Sequence, residues 1–177
     1  LNQNKSVRVG VISDTHIPRR AKALPGWVRE AFEGVDLILH AGDLTTLGVL
    51  DDLAELAPVE AVAGNVDAMG PAALALPSRR VVEVGGVRIG LTHGHDGPGS
   101  STPERALAAF REEGVAAVVF GHSHQPMNEV VDGVLLFNPG SATDPRWAGE
   151  PTVGLLTVHG SAEPRVAGRL VHRSLAG

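Results

Sequence analysis

The 177-residue chain contains no cysteine and no tyrosine, only two lysines (Lys5 and Lys22), and six aromatic side chains, four Phe and two Trp. The absence of cysteine excludes disulfides, thiolate zinc sites, iron–sulfur clusters and a thiol nucleophile together. Any metal ion must therefore be held by nitrogen and oxygen. With 15 basic against 20 acidic residues and the thirteen arginines scattered, no basic stripe is available for a duplex backbone. The scarcity of aromatics leaves little for the bases of a long single strand to stack on. Apolar runs such as Val115–Phe120 fall far short of the ~20 residues a membrane helix needs. No charged segment followed by an apolar one opens the chain in the manner of a secretory signal. The expectation is a cytoplasmic protein with no membrane association, for which long nucleic acid is not the partner. The length suits one domain over 1–177, large enough to bury about 70% of its unfolded surface. The polar Leu1–Ser6 stretch reads as a flexible or processed end.

Short apolar runs rich in valine and isoleucine recur between glycines and prolines, which predicts strands. They are Val7–Ile12, Val35–Leu39, Val59–Ala63, Val81–Val84, Val87–Leu91, Val115–Phe120, Val130–Phe137 and Val153–Val158, with Arg165–Arg173 a weaker candidate. Gly85-Gly86 and Asp132-Gly133 have the chemistry of tight hairpin turns, so Val81–Leu91 and Val130–Phe137 are expected to fold as antiparallel pairs. Helices are predicted at Pro25–Phe32, at Thr46–Leu56 behind a Thr cap, and from Ser101-Thr102-Pro103-Glu104 onward. Helices alternating with strands, followed by hairpins, give an α/β layered domain.

The residues that follow the apolar runs carry the chemistry. Val9–Ile12 leads to Asp14-Thr15-His16, Leu37–Leu39 to His40-Ala41-Gly42-Asp43, and Val59–Ala63 to Gly64-Asn65-Val66-Asp67. Ile89–Leu91 leads to His93-Gly94-His95, and Val118–Phe120 to Gly121-His122-Ser123-His124. Ligands of α/β sheets bind beyond the carboxyl ends of strands, so these five ends are expected to converge. Carboxylate, imidazole and amide oxygen suit Mn²⁺, Fe, Zn²⁺, Ni²⁺ or Co²⁺. On an extended chain, Asp14-x-His16 and His122-x-His124 would each place two ligands on one side. Six or seven ligands exceed one tetrahedral ion, and two ions ~3.5–4 Å apart sharing one Asp account for them. Each motif alone is equally a turn, since Gly-Asp and Gly-Asn are common turn pairs. The case rests on five of them at strand ends. His40 reads as a supporting group, and His159 and His172 as background.

These residues resemble the calcineurin-like metallophosphoesterases, whose ordered signature is D-x-H, G-D, G-N, H and G-H-x-H. Here it runs through Asp14-Thr15-His16, Gly42-Asp43, Gly64-Asn65, His93 and Gly121-His122-Ser123-His124. Thr92-His93-Gly94-His95 and Asn138-Pro139-Gly140-Ser141 look like the compact phosphodiesterase branch. The resemblance implies a four-layer αββα sandwich of two mixed sheets. It implies one metal on Asp14, His16 and His124, a second on Asn65, His93 and His122, and Asp43 bridging both. The ions would be two divalent metals, Mn²⁺ foremost, with a bridging hydroxide attacking a small phosphodiester. Much of the superfamily has His after the Gly-Asn pair, where this chain has Val66 followed by Asp67. The general acid is therefore unassigned, with His95 a candidate and Asp67 and Asn65 carried as catalytic candidates beside it.

A retromer scaffold subunit resembles the same branch, so the alternative is a protein-binding scaffold with weak or no catalysis; intact Asp43 and Asn65 favour the enzyme. A single-metal amide hydrolase would leave Asn65, His93 and His122 without purpose. Arg19 and Arg20 are either contacts for substrate phosphate or exposed charges. The Pro71–Pro77 and Asp96–Ser101 segments are expected to be irregular chain walling the substrate, and a homo-oligomer is allowed for.

Overall fold

The computed structural model describes residues 6–160 and 165–175. Residues 1–5 of the expected flexible end lie outside the described residues. Two five-stranded sheets form the centre. In the first, β1 (Val7–Ile12), β2 (Leu37–His40) and β3 (Val59–Ala61) are parallel. The antiparallel β9 (Thr152–His159) and β10 (Arg165–His172) complete it, in the order β10-β9-β1-β2-β3. The second sheet has the order β4-β5-β6-β8-β7. Here β4 (Arg79–Val84) and β5 (Val87–Thr92) form one hairpin and β7 (Met127–Val131) and β8 (Val134–Asn138) the other. Between them, β6 (Ala117–Val119) runs parallel to β5 and β8. Both hairpins turn where Gly85-Gly86 and Asp132-Gly133 supply positive φ, as their turn chemistry predicts.

Strand alternation sorts the side chains into layers. Val9, Val11 and Leu39 of the first sheet meet Ile89, Leu91, Val119 and Phe137 of the second in the central core. On the outer side of the first sheet, Ile12, Ile38 and Leu155 pack under Val28 and Phe32 from α1 (Gly26–Ala31) and its end, and Val49 and Leu53 from α2 (Gly48–Ala54). On the outer side of the second, Val118, Phe120 and Leu136 pack under Ala106 and Phe110, from α4 (Thr102–Ala108) and just beyond it. The result is the expected αββα sandwich. Phe32 and Phe110 are fully buried pins between helix and sheet, each stabilising by about 2–3 kcal/mol relative to exposure. Among the described residues no helix is long and apolar enough to cross a membrane.

Two local expectations are corrected. The second helix starts at Gly48 rather than Thr46, with Leu47 at its cap and no side-chain cap bond; the Thr46 hydroxyl instead accepts the Gly48 N–H at 3.4 Å. The Pro71–Pro77 segment is not irregular throughout, because Pro71–Ala75 forms a short helix, α3. Proline is well placed in a first helical turn and the alanines after it favour helix, so prolines read as loop markers were misleading there. Asp96–Ser101 carries no helix or strand, as expected.

Candidate metal centre

The loops leaving β1, β2, β3, β5 and β6 meet at one edge of the sandwich. Asp14 and His16 follow β1, Asp43 follows β2, and Asn65 opens a short 3-10 turn, Asn65–Asp67, after β3. His93 directly follows β5, and His122 and His124 follow β6. The predicted pairing of ligands by strand alternation is corrected, because the chain is not extended at these residues. Asp14, His16, Asp43, His122 and His124 all have left-handed backbones, with φ of 53°, 44°, 58°, 67° and 57°. Such conformations persist in non-glycine residues only when their surroundings over-determine them, and they concentrate at functional sites.

Here the surroundings are a lattice of cross-loop hydrogen bonds. Asp14 N–H donates to Gly42 O, and His16 N–H to Asp43 O, both at 3.0 Å; Gly121 N–H donates to His93 O at 3.1 Å. A loop after β8 ties the first and last motifs together. Ser141 Oγ donates to Asp14 O at 2.7 Å, Thr143 Oγ1 to Thr15 O at 2.7 Å, and Asn138 Nδ2 to Gly121 O at 2.9 Å. Glycine is required at two crossings. A Cβ on Gly64 would collide with Asp43 Oδ1, and one on Gly121 with Ser13 Oγ and Asp14 Oδ2.

The ligand atoms fall into two groups around Asp43. In one, His16 Nε2 lies 3.3 Å from His124 Nε2 and 3.7 Å from Asp43 Oδ2, and His124 Nε2 lies 3.2 Å from Asp14 Oδ1. In the other, His93 Nε2 lies 3.3 Å from Asp43 Oδ1 and 3.1 Å from Asn65 Oδ1, which is also 3.1 Å from His122 Nδ1. Ligand atoms of Asp14, His16 and His124, and those of Asp14, Asp43 and His93, lie within 4.8 Å of one another. Asp14 Oδ2 is used up by the Ser13 hydroxyl (2.7 Å) and the His122 N–H (3.0 Å), while buried Oδ1 has no hydrogen-bond donor. An orphaned, buried carboxylate oxygen among imidazoles fits a cation. The tautomers fit as well. His93 Nδ1–H donates to Ala41 O at 2.8 Å and His124 Nδ1–H to Asp144 O at 2.5 Å, so both Nε2 lone pairs face the cluster.

The electrostatics follow from burial against mutual attraction. Burial alone would raise the Asp43 carboxyl, but the His93 imidazole, the Val66 N–H and His16 outweigh it and hold it at about 2. For Asp14 burial is likewise outweighed, by His124, His93 and Ser13, and its carboxyl lies below the ordinary value. His93 and His124 are raised despite burial, by Asp43 and Asp14 respectively. Burial lowers His16, His95 and His122.

His40 is the supporting group it was read as. It is fully buried, its Nδ1 accepts the Gly42 N–H at 3.2 Å, its Nε2–H faces Thr15 Oγ1 at 3.1 Å, and burial lowers it to about 4. His95 stands beside the cluster, its ring 5.3 Å from that of His93 and 6.1 Å from that of His122. Asp67 is turned away from the cluster. Its carboxylate accepts the N–H groups of Asp43, Leu44, Thr45 and Gly64 at 2.8–3.2 Å. Sequence reasoning missed Ser13, Thr143 and Asp144, and took Asn138–Ser141 only from its resemblance to the compact branch; no local signal ties Ser141 to Asp14, 127 residues away.

Two carboxylates, four imidazoles and an amide oxygen converge here, the donor set of a candidate metal centre of metallohydrolase type. The calcineurin-like phosphoesterase superfamily domain matches residues 7–161, and the chain belongs to that family. It is 42% identical over 170 residues to a probable metallophosphoesterase of Methanothermobacter thermautotrophicus, spanning 94% of this chain and 96% of that one. A phosphodiesterase of Methanocaldococcus jannaschii is 30% identical over 165 residues, 85% and 92% of the two chains. Among solved structures, Vps29 of Entamoeba histolytica complexed with Zn²⁺ superposes with a TM-score of 0.70 at 27% identity, covering 94% of this chain and 99% of that one.

Proposed function

We propose that this chain is a dinuclear metal-dependent phosphodiesterase acting on small phosphodiesters. The observation that carries the reading is the division of the Asp43 carboxylate, with Oδ2 toward His16 and Oδ1 toward His93. Asp14, His16 and His124 would hold one ion, Asn65, His93 and His122 the other, and Asp43 both. When bound, two divalent ions, Mn²⁺ foremost, supply an activated water and neutralise charge developing at phosphorus. Everything else falls to the chain. Asp43 and Asp14 stay ionised across the physiological range, and the backbone lattice holds the Asp14, His16, Asp43, His93 and His122 segments in place before substrate arrives. The Asp14, His16, His93 and His124 side chains are buried, whereas Asn65 is exposed and His122 half-buried, so substrate approaches on the Asn65–His122 side. His95, beside His93 and His122, lines that approach and is the candidate to meet a leaving-group oxygen. Asp67 holds the Asp43 loop and Gly64 in place and does not touch substrate.

Elemental analysis, followed by chelation and re-addition of Mn²⁺, Zn²⁺, Ni²⁺ and Mg²⁺, tests this with bis(p-nitrophenyl) phosphate and p-nitrophenyl phosphate as substrates. About two ions per chain with restored diesterase activity is the expected result. Asp43→Asn should deplete both ions and His16→Ala mainly one; equal tolerance of both changes refutes the assignment. The likeness to Vps29 supports a second reading, a binding scaffold. A metal-free, inactive protein that captures a partner would favour it.

A further inference from the structure

One cluster beside the metal centre is left unused by that chemistry. Asp144 Oδ2 lies 3.3 Å from Arg20 Nε, 3.6 Å from Arg146 Nε and 3.9 Å from His124 Nδ1. Both guanidinium groups are therefore one carboxylate removed from a candidate ligand ring. Neither contact has hydrogen-bond geometry, and the buried Oδ2 accepts no hydrogen bond among the described residues. The donor forks of the two arginines are not committed to Asp144. One carboxylate faces two guanidiniums, so the cluster carries a net positive charge. It is also within reach of solvent, the Arg20 and Arg146 side chains being 60% and 45% exposed against 15% for Asp144. Arg146 is in the left-handed region at φ 47°, at the start of a short 3-10 turn. On the His95 side of the centre the acidic Asp96 and the basic Arg79 are both exposed.

We propose that Arg20 and Arg146 form a subsite for a second phosphate group of the substrate, beside the diester that is cleaved. Guanidinium forks match phosphate oxygens two by two, and two under-neutralised forks on one flank of a phosphodiester site set the direction in which an anionic substituent lies. Substrates carrying an extra terminal phosphate are thus selected over plain diesters. The subsite rests on the phosphodiesterase reading for the identity of its neighbour, but its binding is measured independently.

The direct test is calorimetric titration of the metal-loaded protein with adenosine 5′-monophosphate and adenosine 3′,5′-bisphosphate. The bisphosphate should bind about tenfold tighter, the scale of two partly exposed charge-assisted contacts. The ratio should fall to about one in R20A/R146A and stay intermediate in R20K/R146K, which keeps charge without the fork. It should increase in D144N, which removes the carboxylate that partly neutralises both arginines, an effect that a merely structural cluster would not produce. In parallel, the p-nitrophenyl ester of thymidine 5′-phosphate is compared with its 3′-phosphorylated form, with the lower KM expected for the latter. Equal binding of the two nucleotides by the unmodified protein, a ratio preserved in R20A/R146A, or one unchanged in D144N overturns the subsite. If neither ester is hydrolysed while the calorimetric ratio follows the arginines, the phosphodiesterase reading fails and the subsite stands. If both are hydrolysed and bind alike, the subsite fails alone.

Discussion

Asp67 offers the sharpest test of how the centre is built. It sits one residue beyond Val66, where much of the superfamily reaches into the reaction, yet it is 2% exposed and its oxygens point at backbone. Oδ2 accepts the N–H groups of Asp43 (2.9 Å), Leu44 (3.2 Å) and Gly64 (2.8 Å), and Oδ1 that of Thr45 (2.9 Å). Hydrogen bonds to a charged group contribute about 1.5–3 kcal/mol each. Four bonds sharing one carboxylate do not add, and water entering the space left by Asp67→Ala recovers part of the loss, so about 4 kcal/mol is expected. For a chain of this length that lowers Tm by about 12 °C. In Asp67→Asn the amide oxygen can still face three donors, but the NH₂ is set against the Thr45 N–H and the charge is gone. The cost is then about 2 kcal/mol, or about 6 °C. Circular dichroism melts in excess chelator measure this without the stabilisation that bound metal adds. If Asp43 bridges two ions as proposed, metal content of both variants should fall at both sites. An Asp67→Asn melt within about 1 °C of the parent would refute the reasoning, and an Asp67→Ala protein that keeps its metal and Tm but loses turnover would place Asp67 in the chemistry instead.

Three further outcomes follow from the same geometry. Gly121→Ala should force the β6 loop away from Ser13 and Asp14, depleting the ion on Asp14, His16 and His124; unchanged metal content by elemental analysis would contradict it. Ser141→Ala removes the donor to Asp14 O and the acceptor for the Thr143 and Asp144 N–H groups, costing about 2 kcal/mol by denaturant titration and loosening the same ion first. Metal binding should weaken as pH falls. His93 and His124 lie above the ordinary imidazole value in the metal-free centre, so protons hold their Nε2 atoms at low pH and must leave for an ion to bind. Asp43, at about 2, contributes to that loss only in far stronger acid. Calorimetry in buffers of different ionisation enthalpy should therefore detect proton release, and affinity independent of pH between about 5 and 8 would count against the ligand roles of these two rings.

How far the centre could be read in advance depended on whether a residue's chemistry or its direction mattered. The convergence of Asp14, His16, Asp43, Asn65, His93, His122 and His124 on one edge was legible because each follows an apolar run and is of a residue type that can offer nitrogen or oxygen to a cation. The sheets were legible for the related reason that alternation such as Val9, Val11 inward and Ile12 outward sorts the strands into layers. The direction of the ligands was not legible. Period-two alternation was extended past the strand ends, where Asp14, His16, His122 and His124 instead turn left-handed. The same blindness applied to Asp67, whose carboxylate faces backbone, and to Asp144, whose meaning depends on arginines 124 residues earlier and two residues later.

These misses have one physical origin. Left-handed turns at five non-glycine ligands, at roughly 1–3 kcal/mol each, are unfavourable locally and would not be predicted from local sequence. They are offset by contacts between loops far apart in the chain: Asp14 on Gly42, His16 on Asp43, Gly121 on His93, Ser141 on Asp14, and the Asp67 carboxylate under the Asp43 turn. The ligands are therefore aimed by the completed sandwich, since no loop can hold its own geometry until the others have arrived. A centre built this way keeps its donor atoms converged through backbone constraints as well as through any ion it holds. That is the rigidity a hydrolytic site needs if its carboxylates and imidazoles are to be in position before the substrate is.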